Sequence, residues 1–374
     1  MSGKNGLSVK DSDPYGWQSN IYKNWSNVGF CGVLEAKPSA GKTRGACIAL
    51  RSYVDVFGPS KILIVAPNNT ILNQWEPYIL EYELDAEYST YLTAVKEMSR
   101  GNIPDVLILD ECHSCLAPEW GKVLNYGVPH VMGLSGTPGE SYRRVGPIFM
   151  SIGWDEINIA PTTIHYITFT PTDEELEKYN YWSDRADAYK KEHPNANIKN
   201  DIYLANIYFR RRGAAHRMPS RLPIALALIK HHLGERMMVF CELTKQVKDL
   251  SKLLTKYKID HCVHITGKQE LDKFRDGEKD IILSVKMVSE GFSDTNITCG
   301  IVVSSATSEK SHVQEIGRII RPKEGKKANI YALVANGTTD DRMIKNNDFT
   351  KKDKVILEWK EWKTYIEAQT QYNQ

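Results

Sequence analysis

The sequence predicts an α/β protein of two parallel-sheet domains in tandem with a helical connecting segment. Three observations lead there. Short apolar runs rich in β-branched residues alternate with helical patterns through both halves of the chain, as in parallel sheets covered by helices. At 374 residues the chain is long for one domain and comfortable for two. Between the halves, from about Thr172 to Arg217, the strand pattern gives way to a helical one rich in Tyr, Arg and Lys.

In order, the chain divides into a flexible N-terminus (1–14), a first sheet domain (15–160), a helical basic linker (161–225), a second sheet domain (226–345) and a helical tail (346–374). Strands are expected in the first domain at Gly32–Glu35, Ile62–Ala66, Val106–Asp110 and Val131–Ser135. In the second they are expected at Met237–Cys241, Cys262–Thr266, Ile281–Ser284, Ile301–Ser304 and Ile330–Val334. Thr172 and Glu175 form a capping box that opens a linker helix, Pro194 ends it, and Pro219 and Pro223 mark entry to the second domain. In the Lys-rich tail, Trp359, Trp362 and Tyr365 are spaced as on a helix packed against its own domain; the alternative is a stacking wedge for bases.

Composition narrows the class. With 41% hydrophobic and 25% charged residues the chain reads as a folded globular protein. A formal charge of +2 supplies no general attraction to polyanions, so any nucleic-acid surface must come from local basic clusters. The polar N-terminus has no apolar core of a leader, and no run approaches the roughly 20 apolar residues that span a bilayer; a cytoplasmic protein without membrane contact is expected. Seven cysteines fit reduced thiols. Cys112 and Cys115 form a CxxC, but no second pair completes a zinc site.

Two local patterns carry chemistry. Ala36 to Thr43, AKPSAGKT, follows a strand and opens a helix, as a phosphate-binding loop does, with alanine where the usual motif has its first glycine. In the loop Pro38-Ser39-Ala40-Gly41-Lys42-Thr43 the backbone amides from Ser39 onward would cradle phosphates, Lys42 would reach the β and γ oxygens, and Thr43 would hold magnesium. The strand Val106–Leu109 ends in Asp110-Glu111-Cys112-His113, where Asp110 would orient magnesium and Glu111 activate the attacking water. ATP and Mg²⁺ are thus the expected substrate and cofactor.

With these two motifs in this order the chain resembles the superfamily 2 helicases and translocases, over roughly residues 15 to 345. The resemblance implies two RecA-like domains holding ATP in the cleft between them. It places Gln18 at the adenine, Pro67 and Asn68 on nucleic acid, and His113, Ser135 and Thr137 in coupling hydrolysis to movement. For Gln314-Glu315-Ile316-Gly317-Arg318-Ile319-Ile320-Arg321 the resemblance implies that Gln314 senses the γ-phosphate and that Arg318 and Arg321 act on it as arginine fingers. Ser289 to Asp294 is similar to the motif that approaches the ribose, through Gly291 and either Ser293 or Asp294, because the acid stands one residue late. Arg321 to Lys326 and Thr338 to Asp341 resemble the subgroup of XPB-type, restriction-motor and phage UvsW-type enzymes, and the compact build suggests a phage source.

A motor grips its track without reading bases, through amides, hydroxyls and cations at phosphates. Thr90, Thr93, Thr244, Thr266, Ser284 and Lys286 are candidates beside Pro67 and Asn68, as is the basic run Arg210-Arg211-Arg212 through Arg217, with Arg221 beyond. Nucleic acid, DNA before RNA by subgroup resemblance, is the expected partner of a monomeric motor, with room for a protein partner. Three activities remain open: unwinding or remodelling of branched or forked DNA, translocation on duplex without strand separation, and ATP-gated binding or annealing.

Overall fold

The computed structural model describes residues 16–198, 200–285, 294–304, 317, 319, 321–345 and 354–364. The expectations for Lys286, Gly291, Ser293, Gln314, Arg318 and Tyr365 fall outside them. The chain forms two compact units, Met1–Asn158 with Ser289–Ser293, and Ile159–Val288 with Asp294–Gln374.

The first unit is built on strands β1 (Cys31–Ala36), β2 (Ile62–Ala66), β3 (Ala86–Thr90), β4 (Val106–Asp110), β5 (His130–Ser135) and β6 (Ile148–Ile152). They lie in the order β3-β2-β4-β5-β1-β6, every pair parallel. The central strands β2 and β4 are buried along their whole length, which is why they read as unbroken apolar runs. The edge strands β3 and β6 are largely half-buried or exposed, carry mixed sequences and show no such run. Below the sheet, Leu107, Leu109, Val65 and Tyr91 share a core with Cys112 and Cys115; burial pushes the Cys115 thiol up to about 11 and raises that of Cys112 further.

The second unit holds β7 (Thr162–Phe169), β8 (Met237–Cys241), β9 (Cys262–Ile265), β10 (Lys268–Gln269), β11 (Ile281–Val285), β12 (Cys299–Val302), β13 (Ala328–Ala335) and β14 (Lys354–Glu358). The order is β10-β9-β11-β8-β12-β13-β7-β14, parallel except for the β10–β9 pair. Two segments depart from expectation. The linker opens not with helix but with β7, whose alternation of Thr, Ile, Tyr and Phe suits a strand and which pairs in full register with β13. Within the tail, Lys354–Glu358 is likewise a strand, β14, paired with β7, and the chain turns helical at Trp359.

Within the linker the expected capping box forms: Glu175 donates its amide to Thr172 Oγ1, and the Glu175 carboxylate accepts the Thr172 amide. The helix runs Asp173–Glu192 and pairs with Ile202–His216, which Asp201 caps through the Leu204 amide. Trp362 is buried in the second core, with Trp359 stacked on it at 5.4 Å, so the tail helix packs on its own unit.

Candidate functional site

The phosphate-loop residues fold as a tight turn between β1 and the helix Lys42–Phe57. Ser39 and Gly41 take left-handed backbone angles, φ 66° and 84°, of the kind that shapes anion-binding turns, and the Ala40 amide between them donates to the Lys37 carbonyl at 3.2 Å. Gly41 is the residue just ahead of the helix, where glycine adopts this conformation without penalty. Ala40 is fully buried, and the Lys42 ammonium donates to the carbonyls of Ala36 at 2.9 Å and Lys37 at 3.5 Å. Thr43 follows on the first turn of the helix. A tight turn ahead of a helix N-terminus, with a lysine folded across it, fits a polyphosphate.

Gln18, almost fully buried, donates Nε2–H to the Gly41 carbonyl at 2.9 Å and so abuts the loop. Gly45 makes room for it: a Cβ there would come within 2.6 Å of Ile21 Cδ1 and 3.3 Å of Gln18 Cγ. Gly45 escaped sequence reasoning, because a glycine in the first turns of a helix reads only as weak helix propensity.

Asp110 ends β4 beside β5 and is 7% exposed. Its Oδ2 accepts the Trp75 indole N–H at 2.9 Å and its Oδ1 the Glu111 amide at 3.0 Å. Burial first, and the Glu111 carboxylate second, raise its pKa to about 6, while Trp75, Lys42 and the Glu111 amide oppose the rise. Glu111 itself adopts φ 50°, ψ 52°, an uncommon conformation for a side-chain-bearing residue that marks sites under functional constraint. His113 Nδ1 lies 3.3 Å from Glu111 Oε2 and 3.1 Å from Ser135 Oγ, and Ser135 Oγ accepts the Thr137 amide at 3.1 Å. The end of β5 also touches the phosphate loop: a Cβ at Gly136 would stand 3.2 Å from Pro38 Cδ. Lys42, Asp110, Glu111, His113, Ser135 and Thr137 therefore form one constellation at the C-terminal edge of the sheet, where open α/β sheets bind ligands.

In the second unit Gly317 and Ile319 are helical and buried, and Arg321 follows them half-buried. Lys326 Nζ donates to the Ile319 carbonyl at 2.5 Å and that of Arg321 at 3.0 Å, fastening the arginine-bearing segment. Burial, with Arg321 and Lys323 close by, pulls this ammonium down to about 8 against the attraction of Asp294. Asp294, the candidate for the ribose, is engaged elsewhere: its Oδ2 pairs with Arg236 Nε at 2.6 Å and its Oδ1 accepts the Asn296 amide at 2.8 Å.

The candidate track residues fall into three groups. Pro67 and Asn68 follow β2, Thr90 ends β3 and Thr93 stands one turn on, so all four share one side of the first sheet's C-terminal edge. Asn68 Oδ1 accepts the Ile71 amide at 3.1 Å, and the Thr90 and Thr93 hydroxyls are 3.0 Å apart. Thr244, Thr266 and Ser284 follow or end the neighbouring strands β8, β9 and β11; the first two are exposed, whereas Ser284 is 1% exposed. Arg210, Arg211 and Arg212 lie on the helix Ile202–His216, their guanidiniums over Trp182, Tyr208 and Phe209 respectively.

Arg221 does not belong with that surface. It is fully buried, ion-paired to Asp340, and donates to the carbonyls of Ala215, Val303 and Leu333. Its place in the basic run is an accident of sequence; its partner stands 119 positions away.

Comparisons with known proteins bear on the fold. The family model for the helicase conserved C-terminal domain matches residues 220–323. The DNA 3'-5' translocase XPB2 of Sulfurisphaera tokodaii is 24% identical over 360 residues, spanning 83% of this chain and 79% of its own. Among solved structures, S. cerevisiae Dbp5 bound to RNA and ADP BeF3 superposes with a TM-score of 0.65 at 11% identity, over 97% of this chain and 94% of that one. The ATP-dependent Type ISP restriction-modification enzyme LlaBIII bound to DNA gives 0.64 at 14% identity, over 93% of this chain but only 31% of the larger enzyme. Residues 220–323 thus match a helicase domain, and the two mostly parallel sheets, with the phosphate loop and the acidic strand end, have the fold of the helicases and translocases to which the chain is similar.

Proposed function

We propose that the chain is an ATP-driven motor that moves along or remodels DNA, with branched or forked DNA as its preferred substrate. The observation that carries this is the meeting of the phosphate loop, Asp110, Glu111 and the Ser135–Thr137 turn at one sheet edge, with Pro67, Asn68, Thr90 and Thr93 on the adjoining strands.

Each residue has work that its surroundings suit. The amides of Ser39 to Thr43 bind phosphate oxygens, and Lys42 exchanges its loop carbonyls for the β and γ oxygens. Thr43 and Asp110 would hold magnesium, which supplies charge neutralisation on the triphosphate. Glu111 orients the attacking water and takes its proton, while His113 and Ser135 link it to the Thr137 backbone. Gln18 recognises the adenine beside the loop. Arg321, with Arg318, stabilises charge on the transferring phosphoryl oxygens, and Gln314 senses the γ-phosphate. Gly291 is assigned to the ribose, and Asp294 only if it gives up Arg236.

Nucleic acid is gripped at phosphates by Pro67, Asn68, Thr90, Thr93, Thr244, Thr266 and Lys286, with Arg210 to Arg212 as a basic contact on the linker helix. Ser284, buried, supports its strand end instead. A second activity, translocation on duplex without strand separation, is favoured by the translocase name of the archaeal relative. The test is ATP turnover with single-stranded, duplex and forked DNA and with RNA, followed by strand displacement on the best activator. Fork stimulation with displacement supports remodelling, duplex stimulation without displacement supports translocation, and no stimulation by any of them overturns the motor.

A further inference from the structure

We infer that Trp75 and Tyr91 connect the nucleic-acid contacts of the first unit to its nucleotide site, because each runs from one of the proposed track loops to Asp110. The inference rests on assigning Pro67, Asn68, Thr90 and Thr93 to the track.

The first connection begins at Asn68, whose side chain caps the helix Asn69–Leu72 through the Ile71 amide. The Trp75 amide then donates to the Leu72 carbonyl at 3.0 Å, closing the turn that aims the indole inward. That indole is fully buried, and its N–H ends on Asp110 Oδ2 at 2.9 Å. The second begins at Thr90 and Thr93, whose hydroxyls meet at 3.0 Å. Tyr91 lies between them in sequence but points the other way: it is 1% exposed, stacks on Trp120 at 5.2 Å with the rings 6° apart, and donates its hydroxyl to the Asp110 carbonyl at 3.0 Å.

A buried Trp or Tyr needs some partner for its polar end, and one such bond alone would be ordinary core chemistry. Here two aromatics from the segments that follow two different strands, β2 and β3, converge on one residue of β4, one on its carboxylate and the other on its backbone. Trp75 holds one carboxylate oxygen of Asp110 while the Glu111 amide holds the other. Close-packed interiors pass small displacements on instead of absorbing them. A phosphate seated against Asn68 or Thr93 therefore fixes the orientation of Asp110 through rigid rings, and a nucleotide that reorients Asp110 shifts the track loops in return. Coupling of this kind is reciprocal: nucleotide must change nucleic-acid affinity by the factor by which nucleic acid changes nucleotide affinity.

The experiment uses the full chain and the variants Trp75→Phe, which removes the indole N–H, and Tyr91→Phe, which removes one oxygen and leaves the ring on Trp120. Affinity for a fluorescein-labelled forked DNA is measured by anisotropy with and without a non-hydrolysable ATP analogue and magnesium, and circular dichroism melting confirms folding. In the wild type the analogue is expected to change DNA affinity by a factor of roughly 5 to 150. In each variant that factor falls by about tenfold or to unity, while affinity without nucleotide stays within about threefold. Should Trp75→Phe fail to fold, Tyr91→Phe carries the test alone. Unchanged coupling in folded Tyr91→Phe and in any folded Trp75→Phe, with DNA bound normally, overturns this inference and leaves the proposed function standing. Absence of DNA binding by the wild type, or full DNA binding by Asn68→Ala and Thr93→Ala, removes the track assignment and the inference with it.

Discussion

Asp110→Asn is expected to make the protein more stable at neutral pH while abolishing ATP turnover. The wild-type carboxyl is held inside the unit with its pKa raised from 3.8 to about 6. At about 1.4 kcal/mol for each tenfold change in the proton equilibrium, keeping it ionised at neutral pH costs on the order of 3 kcal/mol. Both carboxylate oxygens accept N–H donors, from Trp75 and from the Glu111 amide. An asparagine amide accepts only one, and the lost bond costs about 1–2 kcal/mol. The net gain is about 1–2 kcal/mol, or a melting temperature higher by roughly 2–8 °C for a unit of this size. The sign depends on pH. A folded-state pKa above the unfolded one means that the protonated form stabilises the fold; this contribution is complete below the unfolded value and is lost as pH rises through about 6. By about pH 5 the wild type has recovered roughly half of the cost, and the variant's advantage disappears. Differential scanning calorimetry in EDTA without nucleotide, at about pH 7.5 and about pH 5, measures both. A variant less stable than wild type at the higher pH, or a gap that ignores pH, refutes the electrostatic account of this site.

Three further outcomes are expected. Arg321→Ala slows hydrolysis on the order of a thousandfold while leaving ATP binding nearly unchanged, which single-turnover hydrolysis and fluorescent-nucleotide titration separate; normal turnover contradicts the arginine's assignment. Arg221→Ala leaves Asp340 buried without its partner and is expected to cost about 3–5 kcal/mol in urea denaturation, whereas a surface track residue would lose DNA affinity and keep its stability. Gly45→Val drives a side chain into Ile21 and Gln18; ATP affinity measured by titration is expected to fall about tenfold, the worth of one hydrogen-bonded contact, with unchanged affinity showing that Gln18 does not serve the nucleotide.

Much of the architecture is legible where burial is complete. Ile62–Ala66, Val106–Asp110 and Met237–Cys241 are buried on both faces and stand out as apolar runs. Ala86–Thr90 and Ile148–Ile152 do not, because an edge strand has one neighbour and tolerates polar residues. The strand Thr162–Phe169 has the composition of a strand but stands directly before the long helix Asp173–Glu192, whose pattern dominates that segment, and Lys354–Glu358 is obscured by the lysines around it. At the site, Lys42 and Asp110 are legible because a loop or strand end presents them through local geometry alone. Trp75 is not: it stands 35 positions before Asp110, and only the packing of β2 beside β4 brings its indole there. Arg221 misleads for the same reason, since nothing local in a basic run announces a carboxylate waiting in the core.

The most direct test of a nucleic-acid-driven ATPase is steady-state phosphate release by the purified chain, titrated with forked DNA, beside Lys42→Ala. Wild-type turnover is expected to rise at least about tenfold to saturation with DNA, with no turnover above background in Lys42→Ala at any DNA concentration. Wild-type turnover that no nucleic acid alters, or turnover that survives in Lys42→Ala, would contradict it.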